Sequence, residues 1–352
     1  MRRSEAVLLV LFLATAIVYF VTRPSNQGVV PTPDQVAAAA ASVEEAQPSA
    51  SASGAPAFAA RAPAQPSATP VPAYFSNAWL QAHPAEDVPA ITAKGVLVAD
   101  ADSQELIYAK NLDGRRPPAS IMKIVTAMVA LDLAKPTQLI SVSRDAANME
   151  PNRMGLDAGE QLPMQDVLYG MLLDSGNDAA EALADALPGG RASFLQKMNS
   201  KATGLGLLNS HFVDPAGLDD DNYTTPYDMA VLAETALKGY PTIKQIVSTK
   251  EITIAGNAQH KWFNPTNLND LLWSYPGDYG VKVGYTDAAG YTIVTAAEKG
   301  GRNVLIVLLG SERHFTESKA LFDWAFAHLP APDGSPVRRF QPNLETHSQA
   351  AP

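Results

Sequence analysis

Residues 280–310 read GVKVGYTDAAGYTIVTAAEKGGRNVLIVLLG and decide the fold class of this 352-residue chain. Three apolar runs, at 280–286, 291–297 and 303–310, are separated by short turns, which is typical of strands that follow one another in a sheet. The third run is continuously apolar over 304–309, so we expect a central strand that is covered on both faces.

Towards the N-terminus, runs at 95–100 and 105–110 are separated by Ala-Asp-Ser-Gln and predict a β-hairpin. The chain between the hairpin and the three strands is predicted to be mostly helical. One helix starts near Ala119, and apolar residues at i, i+3, i+4, i+7 and i+8 over 164–172 indicate a buried helix face. With a final helix after the last strand, this order predicts an α+β fold. We expect an antiparallel sheet, built from both ends of the chain and flanked by helices, with an inserted helical lobe.

The two ends of the chain differ from this pattern. Two arginines precede an apolar run at 6–21, and Arg23 follows it. Residues 1–23 are therefore predicted to anchor the chain in the cytoplasmic membrane with the remainder outside, or to form a signal sequence whose cleavage leaves the protein secreted. The Ala, Pro and Ser content of 24–79 predicts a disordered linker, and 330–352 predicts a disordered tail. The folded part is expected at 80–329.

The composition excludes several classes of function. A formal net charge of -10 makes nucleic acid an improbable partner, because phosphate binding needs a basic surface. The absence of cysteine rules out disulfides and thiol nucleophiles. The sequence contains no HExxH, Walker loop or GxSxG pattern, so a zinc peptidase or an α/β-hydrolase is unsupported. We expect neither a metal nor a cofactor.

Three short motifs carry residues suited to acyl transfer. SIMK at 120–123 puts a hydroxyl and an ammonium on one face of a helix start, where free backbone N–H groups stabilise an oxyanion. SGN at 175–177 breaks a helical pattern. KVG at 282–284 puts a glycine on a strand, where another backbone segment or a ligand can approach closely. Each motif alone fits ordinary capping, turn or strand chemistry. In this order they match the SxxK, SxN and KxG set of serine acyl transferases.

On these motifs the sequence resembles the D-alanyl-D-alanine carboxypeptidases, the low-molecular-mass penicillin-binding proteins of serine peptidase family S11. The likeness extends over RRPPASIMKIVTAMVAL, LLDSGNDAAEALA, HFVDPAGL and GVKVGYTDAAGYTIV. It implies a penicillin-binding protein/β-lactamase-like transpeptidase fold and makes 80–329 the D,D-peptidase catalytic domain. It also implies that the substrates are peptidoglycan stem peptides and that β-lactam antibiotics are covalent inhibitors.

The resemblance assigns roles to the motif residues. Ser120 is implied to be the nucleophile that forms an acyl-enzyme, and Lys123 the base that takes its proton. Because a lysine is a base only when neutral, we expect burial and a second cation, Lys282, to lower the Lys123 pKa. Ser175 is implied to relay a proton to the leaving amine, and Asn177 to hold an amide of the acyl side chain. Backbone N–H groups at Ser120 and on the Lys282 strand are implied to form the oxyanion hole.

One position departs from the family pattern. The third motif is usually Lys-Thr-Gly, and the threonine hydroxyl helps to bind the terminal carboxylate of the substrate, but here the middle residue, before Gly284, is Val283. A hydrogen bond to a charged group is worth about 1.5–3 kcal/mol. Thr286 and Arg313 are the candidate replacements, Arg313 because it stands near the place of a carboxylate-binding arginine in the family.

Three other interpretations remain open at this point. The same scaffold can act as a D,D-endopeptidase that cleaves peptidoglycan cross-links, or as a β-lactamase. A non-catalytic cell-wall binding protein is the third, and only Val283 favours it.

Overall fold

The computed structural model describes residues 74–330. Within this range no helix is long and apolar enough to cross a membrane. The predicted anchor at 1–23, most of the linker and nearly all of the tail lie outside the described residues.

A five-stranded antiparallel sheet organises the fold. Its strands are β1 (Gly95–Asp100), β2 (Glu105–Lys110), β5 (Asp278–Thr286), β6 (Gly290–Lys299) and β7 (Arg302–Ser311), in the order β2-β1-β7-β6-β5. Every neighbouring pair is antiparallel. The first hairpin of the chain therefore pairs with the last strand, Gly95 opposite Leu309, as the sequence pattern predicts.

A helical lobe lies between β2 and β5 in sequence. A 3-10 turn (Ala119–Met122) leads into α2 (Lys123–Leu133), and a small second sheet pairs β3 (Leu139–Ser141) with β4 (Gln161–Pro163). The remaining helices of the lobe are α3 (Arg144–Ala147), α4 (Met164–Leu172), α5 (Asn177–Ala186), α6 (Gly190–Gly204), α7 (Pro226–Gly239), α8 (Pro241–Val247) and α9 (Leu271–Ser274). The helix expected near Ala119 thus begins as a 3-10 turn and becomes α-helical only at Lys123.

The central strands are buried on both faces, which confirms the expectation for 304–309. Along β7, Leu305, Val307 and Leu309 pack with the helical lobe, whereas the alternate residues pack on the other side of the sheet. That other side is covered by α10 (His314–His328), through residues such as Phe322. The alternation follows from the two-residue period of a strand.

The N-terminal limit of the folded part differs from the sequence expectation. Residues 74–79 were expected in the linker, but Phe75 is buried and the backbone of Ser76 pairs with the start of β2. A short helix, α1 (Ala78–Ala82), follows. The apolar contact of Phe75 explains the difference, because a boundary drawn from composition does not detect one aromatic side chain that packs in the core.

Candidate active site

The 3-10 turn Ala119–Met122, which carries the predicted nucleophile Ser120 and is called the nucleophile turn below, lies against the edge strand β5. Ala119, immediately before Ser120, has a positive φ of 51° and is buried. A Cβ on Gly284 would be 2.7 Å from the backbone nitrogen of Ser120, so the glycine of the third motif is needed for close approach. Thr292 of β6 donates to the carbonyl of Pro118 at 2.9 Å and fixes the turn to the sheet. The Ser120 N–H belongs to a first helical turn, where such groups have no intrahelical acceptor.

Lys123 is fully buried beneath this turn. Its Nζ lies 2.8 Å from Ser120 Oγ, 2.7 Å from Asn177 Oδ1 and 2.7 Å from the carbonyl oxygen of Ala216. A neutral amine has two N–H bonds and one lone pair. Asn177 Oδ1 and the Ala216 carbonyl can only accept, so in a neutral Lys123 the two N–H bonds would go to them and the lone pair would face the Ser120 hydroxyl.

The electrostatics of the two motif lysines favour a neutral amine. Burial, and then the charge of Lys282, hold the pKa of Lys123 well below its ordinary value, against the opposing effects of Asp214 and Asp178. Burial also lowers the pKa of Lys282 to about 7, opposed by Asp174. Lys282 itself is buried on β5 and donates to the carbonyl of Val283 at 3.1 Å.

The second motif forms the turn between α4 and α5. Ser175 has a positive φ of 61° and is buried. Gly176 allows this turn, since a Cβ there would come within 2.9 Å of the backbone nitrogen of Met154. The amide of Asn177 donates to the carbonyl of Glu150 at 2.9 Å and accepts from Lys123, so this side chain orients the lysine. The contact with a substrate amide that the resemblance implies for Asn177 stays a prediction.

The motif residues surround a cleft of about 270 Å³. Within 74–330, the residues that line it include no Lys, Arg, Asp or Glu. They are Ser120, Pro151, Asn152, Ser175, Asn177, Gly217, Leu218, Leu268, Val283, Gly284, Tyr285, Thr286, Tyr291, His314 and Phe315.

Of the two candidate replacements for the missing threonine, Thr286 lines the cleft and Arg313 does not. Thr286 lines the cleft, and its hydroxyl accepts from the Ala289 N–H in the β5–β6 turn at 3.1 Å. Arg313 is exposed just before α10 and is not among the lining residues. The next two residues, His314 and Phe315, line the cleft instead.

Two buried carboxylates that were not predicted from the sequence hold the loops around Lys123 in place by accepting backbone hydrogen bonds. Asp214 accepts from the backbone N–H groups of Ala216 and Gly217, both at 2.6 Å, and so holds the Ala216 carbonyl towards the lysine. Asp178 accepts from three consecutive backbone N–H groups at 154–156, next to the cleft. The Asp-Pro-Ala-Gly order in HFVDPAGL is a turn signal that points to the first of them.

The described part of the chain holds no cluster of three or more His, Asp or Glu side chains that could bind a metal ion.

Comparison with known proteins agrees with this arrangement. The family model described as D-alanyl-D-alanine carboxypeptidase matches residues 82–313. The D-alanyl-D-alanine carboxypeptidase DacF of Bacillus subtilis is 36% identical over 245 residues, which are 67% of this chain and 62% of the relative. DacB2 of Mycobacterium tuberculosis is 33% identical over 265 residues, 73% of this chain and 90% of the relative. The match thus spans less than two thirds of the Bacillus relative and most of the mycobacterial one.

Solved structures show the same fold. The Streptomyces K15 DD-transpeptidase is 32% identical with a TM-score of 0.65, covering 69% of this chain and all of that one. The D-alanyl-D-alanine carboxypeptidase of Mycobacterium tuberculosis H37Rv is also 32% identical with a TM-score of 0.65, covering 70% and 96%. The predicted transpeptidase-like α+β fold is confirmed. On the family match and these relatives together, the chain belongs to the D-alanyl-D-alanine carboxypeptidases, serine peptidase family S11.

Proposed function

We propose that this chain is a serine-type D,D-carboxypeptidase that removes the terminal D-alanine from peptidoglycan stem peptides. The observation that carries the proposal is the buried Lys123 amine, 2.8 Å from Ser120 Oγ, with its other two directions taken by acceptors. This geometry supplies a base for the serine hydroxyl without a histidine.

Acylation follows from the placement of these groups. Ser120 Oγ attacks the carbonyl carbon between the two D-alanines as its proton passes to Lys123 Nζ. The oxyanion lies at the Ser120 N–H and the neighbouring β5 backbone. When the C–N bond breaks, Ser175 passes a proton from Lys123 to the leaving amine, and D-alanine departs. An ester to Ser120 remains.

Deacylation repeats the proton transfers with water as the nucleophile. Water attacks the ester carbon while Lys123 takes its proton, and the C–O bond to Ser120 breaks as the serine oxygen recovers a proton. The shortened stem peptide leaves, and the enzyme returns to its starting state. A β-lactam opens on the same hydroxyl, so its ring carbonyl becomes the ester.

The site of action is also part of the proposal. The arginines that flank the apolar run at 6–21 support a membrane anchor, with the catalytic domain outside the cytoplasmic membrane. Fractionation of cells that express the full chain checks this. Membrane association that survives high salt and is lost on deletion of residues 1–23 is expected.

The test of the activity is covalent labelling. Intact-mass measurement after incubation with benzylpenicillin should show one adduct, and peptide mapping should place it on Ser120. Ser120→Ala should take no adduct and should release no D-alanine from diacetyl-L-lysyl-D-alanyl-D-alanine. Absence of an adduct on folded wild-type protein would refute the proposal. Sustained turnover of a chromogenic cephalosporin would indicate a β-lactamase instead.

A further inference from the structure

A second cavity, which we call the basic pocket, lies at the turn that connects β2 with the nucleophile turn. Its volume is about 410 Å³, and its lining includes the cations Lys94, Arg115 and Arg116. One carboxylate, that of Asp113, also lines it, so three positive charges stand against one negative charge. On a chain of formal charge -10, this excess of positive charge is a local feature of the surface.

Two of these cations belong to a fixed arrangement of side chains and backbone. Asn111 Nδ2 donates to the Lys94 carbonyl at 2.6 Å and so ties the turn to the segment before β1. The Arg115 guanidinium lies 4.7 Å from the Tyr223 ring centroid and donates through Nε and Nη2 to Asn209 Oδ1. Because arginine has five N–H donors, this contact leaves donors for a ligand. The pocket is therefore organised before any ligand binds.

Arg116 is the cation whose hydrogen bonds the protein leaves unmade. Its backbone pairs with that of Thr224 in both directions, at 2.8 and 3.0 Å. Its Nε, in contrast, is buried and has no hydrogen-bond partner within residues 74–330. Gly310 of β7 makes room for it, since a Cβ there would stand 3.0 Å from both Nε and Nη2 of Arg116.

The charges of the basic pocket are also unmatched. Among the described residues, none of its three cations takes part in a salt bridge. Buried donors in proteins are almost always paired, and arginine binds a carboxylate through two parallel N–H···O bonds. The pocket is therefore suited to a compact anion that supplies both acceptors and negative charge.

The basic pocket lies close to the catalytic cleft. Arg116 precedes Ser120 by four positions, so their Cα atoms are at most about 15 Å apart. The two sites also approach each other across the sheet. A Cβ on Gly290 would be 3.4 Å from Gly310 Cα, and Tyr291, the next residue, lines the cleft. An extended peptide spans about 3.3–3.6 Å per residue, so a segment of about five residues covers this distance.

We propose that the basic pocket binds the free C-terminal carboxylate of a second stem peptide while the first stem is cleaved in the cleft. The two stems belong to one polymer, so the second carboxylate is present at a high effective concentration, and even a weak site strengthens binding. The formal charge of -10 disfavours a densely charged polyanion that extends beyond the pocket. This inference rests on the proposed function and adds a second binding site for the same substrate.

The test compares two donors that differ only in the number of stems. Soluble glycan fragments that carry one stem or several stems, all ending in D-alanyl-D-alanine, are incubated with the full chain, and D-alanine release is measured. We expect kcat/KM per stem to be at least tenfold higher for the multi-stem fragment. Equal values for the two fragments overturn the inference.

Charge variants connect this preference to the basic pocket. Lys94 and Arg115 are both exposed, so Lys94→Glu/Arg115→Glu is compatible with folding, and it should remove the multi-stem preference without slowing cleavage of the one-stem fragment. The matched control is Lys197→Glu/Lys244→Glu. It makes the same change in charge at two exposed positions outside the linings of both cavities, and it should keep the preference.

The outcomes separate the two levels of the argument. A preference that survives in folded Lys94→Glu/Arg115→Glu overturns this inference alone. An equal loss in the control variant assigns the effect to overall charge, and an equal loss on the one-stem fragment assigns it to the nucleophile turn, so either result also overturns the inference. If wild-type protein cleaves neither fragment and benzylpenicillin leaves no adduct on Ser120, the proposed function fails, and the inference fails with it.

Discussion

The third-motif glycine gives the sharpest prediction about catalysis. In Gly284→Ala, the new methyl group would stand 2.7 Å from the Ser120 backbone nitrogen and 2.7 Å from Thr292 Oγ1, with Ala119 Cβ at 3.1 Å. Ordinary contacts begin at 3.4 Å, so β5 and the nucleophile turn must separate by about 0.7 Å. The Ser120 nitrogen belongs to the backbone, and Thr292 Oγ1 is held by its hydrogen bond to the Pro118 carbonyl, so neither atom can simply rotate away.

The magnitude follows from this displacement. A shift of about 1 Å in reacting groups costs roughly a hundredfold in rate. We therefore expect acylation to slow by about 30- to 100-fold, because Ser120 and the strand that faces it move apart. Overpacking of a filled site should also reduce the free energy of unfolding by about 1–3 kcal/mol.

The assay is the second-order rate of benzylpenicillin adduct formation on Ser120, with urea unfolding measured in parallel. The matched control is Gly239→Ala at the end of α7, where a Cβ would meet nothing within 4 Å. That control should keep both the acylation rate and the stability. If the acylation rate of Gly284→Ala is within threefold of the wild-type rate, acylation does not depend on the close approach of β5 to Ser120, and the prediction is wrong.

Three further predictions concern the same site. Because the Lys282 charge helps to lower the Lys123 pKa, Lys282→Gln should raise that pKa and move the acidic limb of a kcat/KM–pH profile to higher pH, with a loss of rate. An unmoved limb, measured between pH 5 and 9 in a constant-ionic-strength buffer, would contradict this coupling. Asp214→Asn should lower the free energy of unfolding by about 1–3 kcal/mol in urea titrations and slow acylation. Both carboxylate oxygens accept from N–H groups of the loop that holds the Ala216 carbonyl, and the substitution replaces one of them by an NH2 donor. Wild-type values for both would show that the loop is held by other contacts. Val283→Thr should raise D-alanine release from a free-acid donor or leave it unchanged, and a clear loss would mean that the carboxyl of the leaving residue does not lie beside this position.

The fold and the three motifs could be predicted because each leaves a local signal. The apolar run at 304–309 indicates a strand buried on both faces, and SIMK, SGN and KVG carry their residue types at short spacing. The arrangement of the loops has no such signal. That Asn177 orients Lys123, or that Asp214 holds the Ala216 carbonyl, depends on contacts between segments far apart in the chain.

The start of α10 shows most clearly what a local sequence pattern cannot predict. Arg313 and His314 are adjacent, and the sequence does not show which of them faces the cleft. Since neighbouring residues at a helix start point in different directions, a shift of one position exchanges an exposed cation for a buried neutral ring. The charge expected for the cleft lining therefore depends on which of the two residues faces the cleft.

The pairing of β1 with β7 has a consequence for folding during synthesis. About 200 residues separate the two strands, and a ribosome that adds 5–20 residues per second needs roughly 10–40 s to supply them. During that interval the apolar β1 has no partner on its β7 side, and an unpaired strand edge of this kind is prone to aggregation. A nascent chain that ends before β5 lacks Lys282 and Gly284 at the nucleophile turn, so we expect that it cannot acylate.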